Sequence, residues 1–441
     1  MLIEFSVSNF RSIRGRQTLS LVSSNREADL PRNLIDPRAP GLSKVKLVKS
    51  AVVYGANASG KSNLYRAAAF MRHLIRHSAI GLKPNAPTGT TPFRLDPACT
   101  EKPSEFEAIF LHEGVRYQYG FAVSDKRVLE EWLTAYPSGS PQKWFQRSHD
   151  RAKASDTYVY GPSFTGEKKR LEERTRGNAL FLSMGAQFDH PLLSPVYEWF
   201  GEHLRFLDFS SLNLLQALDA TLSLIDEDNT MMDMVRSLVQ RADLGISGIA
   251  LSRQHFDADN LELPDDMPEE IANALRVFGE TLAKHSQGES MEKLDVLWRH
   301  QTVDGGPPVA FESDEESAGT LKFLSLLGPW LDSLAKGHTV FVDEVGAFMH
   351  PLLMRSLVAL VNGEDTNAKG AQLVFTTHDV TLLDTSLFRR DQIWFTEKTS
   401  DGATSLYPLT DYKPRKEEAL QKGYLAGRYG AIPFLKGELA L

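Results

Sequence analysis

The sequence predicts an α/β fold whose parallel-sheet core is interrupted by an inserted helical module. Residues 1–164 contain runs of β-branched and aromatic residues separated by turns, a pattern typical of strands. Residues 165–290 instead show apolar positions at helical spacing. Strand and helix patterns alternate again over residues 291–441. We therefore expect the first and last segments to form one α/β domain around the helical insert.

The composition is that of an ordinary globular protein. Of the 441 residues, 42% are hydrophobic and 24% are charged, and no apolar run approaches the roughly 18 residues that a membrane span requires. The N-terminus does not resemble a signal peptide, and the single cysteine, Cys99, excludes an internal disulfide. These features predict a cytoplasmic protein with no membrane contact. The net charge of −8 does not indicate nucleic-acid binding over the whole surface and leaves only a local contact open.

Turn residues divide the first segment into six expected strands and one helix. The helix begins at Lys61 and extends to about His77. Within the insert, helices are expected over Pro191–Leu204, Met231–Ala242 and Pro268–His285. The expected strands are Leu2–Val7, Gln17–Val22, Val48–Tyr54, Glu105–Leu111, Val115–Val123 and Val128–Ala135.

The strongest motif is Gly55-Ala-Asn-Ala-Ser-Gly-Lys-Ser62, a full G-x-x-x-x-G-K-S match between an apolar strand and a helix. In such a loop the glycines let backbone N–H groups surround a phosphate, and the helix N-terminus adds partial positive charge. Lys61 can reach the β- and γ-phosphates, and Ser62 can ligate Mg²⁺. The motif therefore predicts a site for nucleotide phosphates.

Two further apolar strands end in polar residues. Thr339–Val342 is followed by Asp343 and Glu344, and Leu373–Thr377 leads into His378. Asp343 can hold Mg²⁺ through water, Glu344 can act as a general base, and His378 can hydrogen-bond a γ-phosphate. Each strand by itself also fits an ordinary buried strand with a solvated end. Parallel strands, however, bring their carboxyl ends together at one edge of a sheet.

A fourth motif, Glu316-Ser-Ala-Gly-Thr320, precedes the expected helix Leu321–Lys336. Ser317 and Gly319 at a helix N-terminus can bind the γ-phosphate of a nucleotide held by another protomer. The alternative is that Ser317 is a plain N-cap. The order of the four motifs along the chain favours the phosphate interpretation.

A phosphate loop, a Ser-x-Gly helix start, an Asp-Glu strand and a Thr-His strand follow one another in an order that resembles ABC-type ATPases. More closely, the chain resembles the RloA-like abortive-infection AAA/ABC ATPases of the RecF/SMC/OLD branch. Further similar segments are Asn9-Phe-Arg-Ser12, Asn63, His350-Pro351, Arg390–Phe395 and Tyr424–Pro433.

This resemblance implies an ABC-type ATPase head, with a mixed N-terminal β lobe and a parallel-sheet P-loop core, that takes ATP and Mg²⁺. Since the chain holds one phosphate loop, it also implies a homodimer of heads or a larger even-numbered homo-oligomer. Lys61, Glu344 and His378 would be catalytic, and Ser62 and Asp343 would hold the metal. The implied nucleotide-binding residues are Arg11, Gly55, Ala56, Asn57, Ala58, Ser59, Gly60, Lys61, Ser62, Asn63, Ser317 and Gly319. Gln118 and Gln142 are the candidates for the glutamine that links Mg²⁺ to the lobe interface in such ATPases.

The resemblance further implies a sensor or regulator of antiphage defence that controls a separately encoded effector, a nuclease or a toxin. The alternative is a RecF- or SMC-like DNA-repair or chromosome-maintenance ATPase that binds DNA. The acidic balance and the lack of sustained heptads disfavour that alternative. A transporter subunit is disfavoured by the large insert and the altered signature. A one-chain OLD-type nuclease would need a further carboxylate-rich domain after His378.

Overall fold

The computed structural model describes residues 1–25, 28–207, 211–242, 245–256, 291–345, 349–415 and 418–433. The chain divides into two compact units. The first comprises Met1–Phe209 and Ser333–Leu441, and the second comprises Ser210–Asp332. Each unit has its own sheet or sheets, which are described in turn.

An antiparallel sheet of seven strands forms one layer of the first unit, in the order β10-β9-β8-β7-β6-β1-β2. Strand β8 (Val128–Tyr136) alternates over most of its length between buried and more exposed residues, the period expected for a strand with one face on the core. Phe106, Phe110, Tyr119 and Phe121 supply much of the buried face. The strands are β1 (Leu2–Ser8), β2 (Gln17–Ser20), β6 (Ser104–His112), β7 (Val115–Val123), β8 (Val128–Tyr136), β9 (Gln142–Asp150) and β10 (Ser155–Tyr160).

A six-stranded sheet forms the other layer of this unit, in the order β11-β15-β16-β5-β17-β18. All of its pairings are parallel except that of β17 with β18. Every residue of β5 and β16 is buried, which is typical of strands covered on both faces. The strands are β5 (Ser50–Gly55), β11 (Leu204–Leu207), β15 (Thr339–Val342), β16 (Gln372–Thr376), β17 (Ile393–Lys398) and β18 (Thr404–Pro408); a separate short pair is β3 (Leu34–Ile35) with β4 (Leu47–Val48).

Helix α1 (Lys61–His77) connects the two layers through one apolar face, on which Leu64, Ala67, Met71 and Leu74 are buried. These positions recur every three or four residues, so they lie on one side of the helix. The other helices of the first unit are α2 (Pro97–Thr100), α3 (Lys169–Arg174), α4 (Phe181–Gln187), α5 (Ser194–Glu198), α9 (Pro351–Asn362) and α10 (Leu420–Leu425).

The second unit contains a three-stranded antiparallel sheet and helices. Helix α6 (Ser211–Glu227) packs against α8 (Ala318–Lys336) within this unit, where the Thr221 hydroxyl oxygen lies 3.2 Å from the Ser325 carbonyl oxygen. Gly328 permits this contact, because an added Cβ would lie 2.4 Å from the Thr221 hydroxyl oxygen. The elements are α6 (Ser211–Glu227), α7 (Asn229–Arg241), β12 (Ile246–Phe256), β13 (Met291–His300), β14 (Val309–Phe311) and α8 (Ala318–Lys336).

The predicted α/β class is confirmed by these sheets and helices. The predicted helix from Lys61 to His77 and the strand Val115–Val123 have the predicted bounds. Pro191–Leu204 differs from its prediction, because α5 is followed by a π-type turn at Trp199–His203 and not by one continuous helix. The helix expected over Pro268–His285 lies outside the described residues.

The extent of the second unit differs from the predicted insert at residues 165–290. Residues 165–207 belong to the first unit, and apolar side chains among them pack on the antiparallel sheet. The Trp199 ring stacks on Phe110 with centroids 3.9 Å apart, and the buried Glu131 carboxylate accepts the first N–H groups of α4. The second unit also contains β12 and β13, whose alternating residues were not predicted as strands.

Within the described ranges, no helix combines the length and the apolar character needed to cross a bilayer.

Candidate functional site

The phosphate loop connects β5 to α1 and begins where β5 emerges between β16 and β17. Ala58 and Gly60 adopt positive φ angles of 62° and 113°, which turn the backbone into the helix. The Ser59 N–H donates to the Ala56 carbonyl over 3.2 Å, and the Gly60 carbonyl accepts the first helical bonds from Asn63 and Leu64. The loop therefore ends at the N-terminus of a 17-residue helix, where backbone N–H groups and partial positive charge favour an anion.

Both glycines of the motif are required by close neighbours. A Cβ on Gly55 would lie 2.5 Å from the Ser59 hydroxyl oxygen and from the Thr396 carbonyl oxygen. A Cβ on Gly60 would lie 2.1 Å from the Thr404 hydroxyl oxygen. These separations are below van der Waals contact, so no other residue fits at either position without displacing the structure.

Lys61 lies at the start of α1 and is 4% exposed. Its ammonium group donates to the carbonyls of Gly55 over 2.9 Å and Ala56 over 3.1 Å. Burial lowers the pKa of Lys61, and the nearby carboxylates of Glu344 and Asp343 oppose that effect. The lysine thus lies against the loop, facing the carboxylates that follow β15.

Asp343 and Glu344 follow the last residue of β15 and share one partner, Thr376, at the end of β16. The Thr376 hydroxyl donates to Asp343 Oδ1 over 2.7 Å and accepts the Glu344 N–H over 2.8 Å. Glu344 has a φ of 52°, an uncommon conformation for a residue that is not glycine. Its side chain is exposed, whereas Thr376 is buried. Thr376 therefore fixes the directions of both carboxylate residues.

His378 follows β16 by two residues and is exposed. The preceding Thr377 is buried, and its N–H donates to the Val53 carbonyl in β5 over 3.2 Å. Partial burial lowers the pKa of His378, the charge of Lys61 lowers it further, and Glu344 and Asp343 oppose the change. The lowered pKa favours the neutral imidazole, which holds one N–H that can donate to a phosphate oxygen.

A cavity of about 580 Å³ lies between the phosphate loop and the ends of β15 and β16. It brings together eight residues that the sequence predicts as part of the site, and one that the sequence analysis missed, Arg66. Its lining residues are Asn57, Ala58, Gly60, Lys61, Ser62, Asn63, Arg66, Glu344 and His378. The volume and this polar lining suit a nucleotide-sized anionic ligand.

Arg66 is exposed on the second turn of α1, and its guanidinium donates to Asn63 Oδ1 over 3.3 Å. It shares a helix face with Ser62 and Asn63, since residues three or four positions apart lie on the same side. That spacing after the Gly-Lys-Ser motif is the signal from which the sequence could have identified it.

Arg11 lies in the N-terminal loop with a φ of 51°, and its N–H donates to the Thr91 carbonyl over 2.7 Å. Burial lowers the pKa of the Arg11 guanidinium, and the charge of Arg66 lowers it further. Arg11 is therefore near Arg66, although it does not belong to the set that lines the cavity in the described part of the chain.

The signature residues belong to the second unit. Ser317 is exposed immediately before α8, and its hydroxyl accepts the Thr320 N–H over 3.1 Å. This is the geometry of an N-cap. Gly319 lies in the first turn of the same helix. Within the chain, Ser317 thus caps a 19-residue helix whose N-terminus is accessible.

Neither candidate glutamine belongs to the described residues that line the cavity. The Gln118 amide donates to Glu107 over 3.0 Å and accepts from the Tyr136 hydroxyl over 3.2 Å, on the antiparallel sheet. Gln142 is the first residue of β9 and pairs with Ala135 in β8. Both glutamines therefore lie in strands of the antiparallel sheet.

The residues at the cavity fit Mg²⁺. Ser62, which lines the cavity, offers a hydroxyl oxygen. Asp343 is not among the described lining residues, but it directly precedes the lining residue Glu344 and offers a carboxylate that the Thr376 hydroxyl orients. Among the described residues, no group of three or more His, Cys, Asp or Glu side chains could form a complete protein cage for a metal. Mg²⁺ prefers one or two protein oxygens together with water and substrate phosphates, so this small donor set suits it.

Comparison with protein families gives a match over most of the chain. Residues 50–384 match the model described as "AAA domain, putative AbiEii toxin, Type IV TA system", which is more than half of the 441 residues. The chain belongs to this family. The resemblance to abortive-infection AAA/ABC ATPases that the sequence predicts is thereby confirmed. The match includes the phosphate loop Gly55–Ser62 and the residues Glu344 and His378 that line the cavity.

Solved structures with low sequence identity also align with this AAA-family protein. The SMC head bound to the C-winged helix domain of ScpA is 12% identical, with a TM-score of 0.39 over 92% of this chain and 97% of that one. RecF in a nucleotide-bound form is 15% identical, with a TM-score of 0.35 over 92% and 98%. RecF with ATP is 12% identical, with a TM-score of 0.36 over 92% and 99%. A search of curated proteins gives no match.

The crowding at Gly60 leads to a stability prediction. We expect G60A to lower the free energy of unfolding by about 2–5 kcal/mol, of which about 1–2 kcal/mol comes from the positive φ and about 1–3 kcal/mol from overlap with Thr404. The control is G89A, because Gly89 has a φ of 80° but nothing within 4 Å of an added Cβ. Urea unfolding measures both variants. Equal losses for the two would contradict the overlap at Gly60.

Proposed function

We propose that this protein binds ATP with Mg²⁺ at the cavity and hydrolyses it. The observation that carries the proposal is the convergence of four residues on one cavity from three separate points of the fold: Lys61 and Ser62 at the start of α1, Glu344 after β15 and His378 after β16. A phosphate loop alone supports nucleotide binding. The carboxylate and imidazole opposite it add groups that can act on the terminal phosphate.

Each side chain has a role that follows from its position. Lys61 would donate to the β- and γ-phosphates in place of the loop carbonyls. Ser62 and Asp343 would hold Mg²⁺, which would neutralise charge on those phosphates. The exposed Glu344 accepts a proton from the attacking water. The neutral His378 donates a hydrogen bond to the γ-phosphate.

We further propose that a second copy of the chain completes the site with its Ser317 and Gly319. Each chain has one phosphate loop, and the helix N-terminus at Ser317 is exposed and suited to an anion. The capping role of Ser317 does not compete with this, because one hydroxyl can accept from the backbone and donate to a phosphate. The assembly would be a homodimer of heads or a larger even-numbered oligomer.

Replacing Lys61 tests the phosphate site. K61A should reduce ATP turnover at least 100-fold, because the ammonium stabilises charge on the transferred phosphoryl group in a site partly shielded from water. The control is K153A, which removes an exposed lysine in the turn between β9 and β10. A phosphate-release assay measures both variants. Undiminished turnover by folded K61A would refute ATP hydrolysis at this site.

Replacing Glu344 tests catalysis and assembly together. E344Q preserves side-chain shape but removes the base, so hydrolysis should fall by about 100-fold or more while ATP stays bound and holds the dimer. Light scattering after gel filtration with ATP and Mg²⁺ measures the mass. The control is E113Q, since Glu113 is also an exposed glutamate at positive φ, 48°. If E344Q with ATP elutes only as a monomer, the two-copy site is wrong.

The cellular role that we propose is regulation of an antiphage, abortive-infection response in the cytoplasm. The support is the description of the matched family, which refers to an AbiEii toxin and a type IV toxin–antitoxin system. The nucleotide state of the protein would control a separately encoded effector, a nuclease or a toxin. The net charge of −8 gives no indication of a nucleic-acid substrate for the chain itself.

The neighbouring reading frame tests this role. We expect it to encode a nuclease- or toxin-like protein whose toxicity depends on this chain, because a regulator must be made together with its effector. Growth assays that express the neighbour with the wild-type chain or with K61A measure that dependence. A neighbourhood of replication or repair genes, with no toxicity, would favour the DNA-maintenance alternative.

A further inference from the structure

A chain of hydrogen bonds links the phosphate loop and the start of α1 to Ser12 and Thr404, two residues that are not among the described lining residues of the cavity. The Asn63 amide donates to the Ser12 hydroxyl over 2.6 Å. The hydroxyl oxygens of Ser12 and Thr404 are 2.8 Å apart. The Thr404 hydroxyl donates to the Ser59 carbonyl over 2.9 Å. The chain thus begins just after the loop, passes through two distant segments and ends within the loop.

The direction of this chain follows from the number of protons. Each hydroxyl has one hydrogen, and that of Thr404 is used on the Ser59 carbonyl. Ser12 must therefore donate to Thr404, and its own oxygen accepts from Asn63. All three bonds run in the same direction, an arrangement in which each bond polarises the next.

A second pair of bonds supports the other end of the loop. The hydroxyl oxygens of Ser59 and Thr396 are 2.7 Å apart, and the Thr396 hydroxyl donates to the Tyr54 carbonyl over 3.3 Å. By the same proton count, Ser59 donates to Thr396. Thr396 and Thr404 are the buried threonines that crowd Gly55 and Gly60, so one hairpin, β17–β18, contacts both glycines of the motif.

The hydrogen bond that holds the Ser59 carbonyl also sets the direction of the next N–H, which belongs to Gly60. In a planar trans peptide the C=O and N–H groups point in opposite directions. The bond from Thr404 to the Ser59 carbonyl therefore directs the Gly60 N–H away from Thr404. Gly60 lines the cavity, whereas Thr404 is not among its described lining residues. A phosphate loop binds its anion through such converging N–H groups.

The β17–β18 hairpin is also hydrogen-bonded and ion-paired to the N-terminal loop that contains Ser12 and Arg14. The Thr404 N–H donates to the Ser12 carbonyl over 2.7 Å, and the Arg14 guanidinium contacts Asp401 and Asp96 over 2.6 Å each. The Arg14 pairs are partly exposed and contribute little by themselves. The backbone bond to Ser12 and the buried hydroxyl bond to the Ser59 carbonyl therefore fix Thr404 beside the loop.

We propose that Thr404 is a positioning residue for nucleotide binding, which acts through Ser59 and, with Ser12, holds the phosphate loop in its anion-binding conformation. Both Ser12 and Thr404 lie outside the segment 50–384 that matches the family model. The proposal rests on the proposed binding of ATP. It assigns to the C-terminal hairpin a part in the nucleotide site that the motif does not contain.

The test compares T404V with T404S in the full-length chain. T404V keeps the shape of the side chain but removes the hydroxyl, so the ATP dissociation constant in the presence of Mg²⁺ should rise about tenfold. T404S keeps the hydroxyl and should remain within about threefold of wild type. The control is T157V, which removes an exposed threonine hydroxyl from β10, where it contacts Ser148. Calorimetry measures binding, and urea unfolding without nucleotide confirms the folded state.

The outcomes separate this proposal from the proposed function. If wild type does not bind ATP, the proposed function fails. If wild type binds and T404V binds equally well, the role of Thr404 is wrong and the function stands. If T404V does not fold, the S12A variant tests the proposal instead. It removes the Ser12 hydroxyl from the middle of the hydrogen-bond chain and leaves the bond from Thr404 to Ser59. A rise of about threefold or more in the S12A dissociation constant supports the proposal, and an unchanged constant overturns it.

Discussion

The parallel pairing of β5 with β16 and β17 is the constraint on which the rest of the site depends. Thr396 of β17 is in register with Gly55, and Thr376 of β16 with Val53, so three carboxyl ends reach one edge together. Parallel pairing of β15 with β16 adds Asp343 and Glu344 to that edge. Because the strands are buried, their register cannot slip without exposing apolar side chains. The relative positions of lysine, carboxylate and imidazole are thus a property of the sheet.

Much of this arrangement could be predicted from the sequence, since its signals are local. The strand at Val342 ends where an apolar run meets two carboxylates, and the helix at Lys61 begins where the phosphate motif ends. The rule that parallel strands present their carboxyl ends at one edge then brings Glu344 and His378 to the loop. Each inference needed only a few neighbouring residues and one general rule about sheets.

The parts that could not be predicted depend on contacts between distant residues. No local sequence pattern distinguishes Thr376 and Thr404 from other strand threonines. Their roles come from the fold, which places them beside Asp343 and Gly60. Arg66 is one arginine of a charged helix surface. Residues 165–207 have helical spacing, but their packing on the antiparallel sheet assigns them to the first unit. Hydroxyl direction and unit membership are long-range properties that periodicity does not encode.

The two sides of the cavity are constrained to different degrees. On the phosphate-loop side, Lys61, Ser59 and Thr404 are buried and hydrogen-bonded to neighbouring residues. On the side formed by the ends of β15 and β16, Glu344 and His378 are exposed, and Glu344 has the uncommon positive φ. Such a site can hold phosphates within one chain, but proton transfer from water is most effective where bulk solvent is excluded. An exposed base opposite an enclosed phosphate loop is therefore the geometry that gains most from a second surface, which is the physical argument for a composite site formed by two copies.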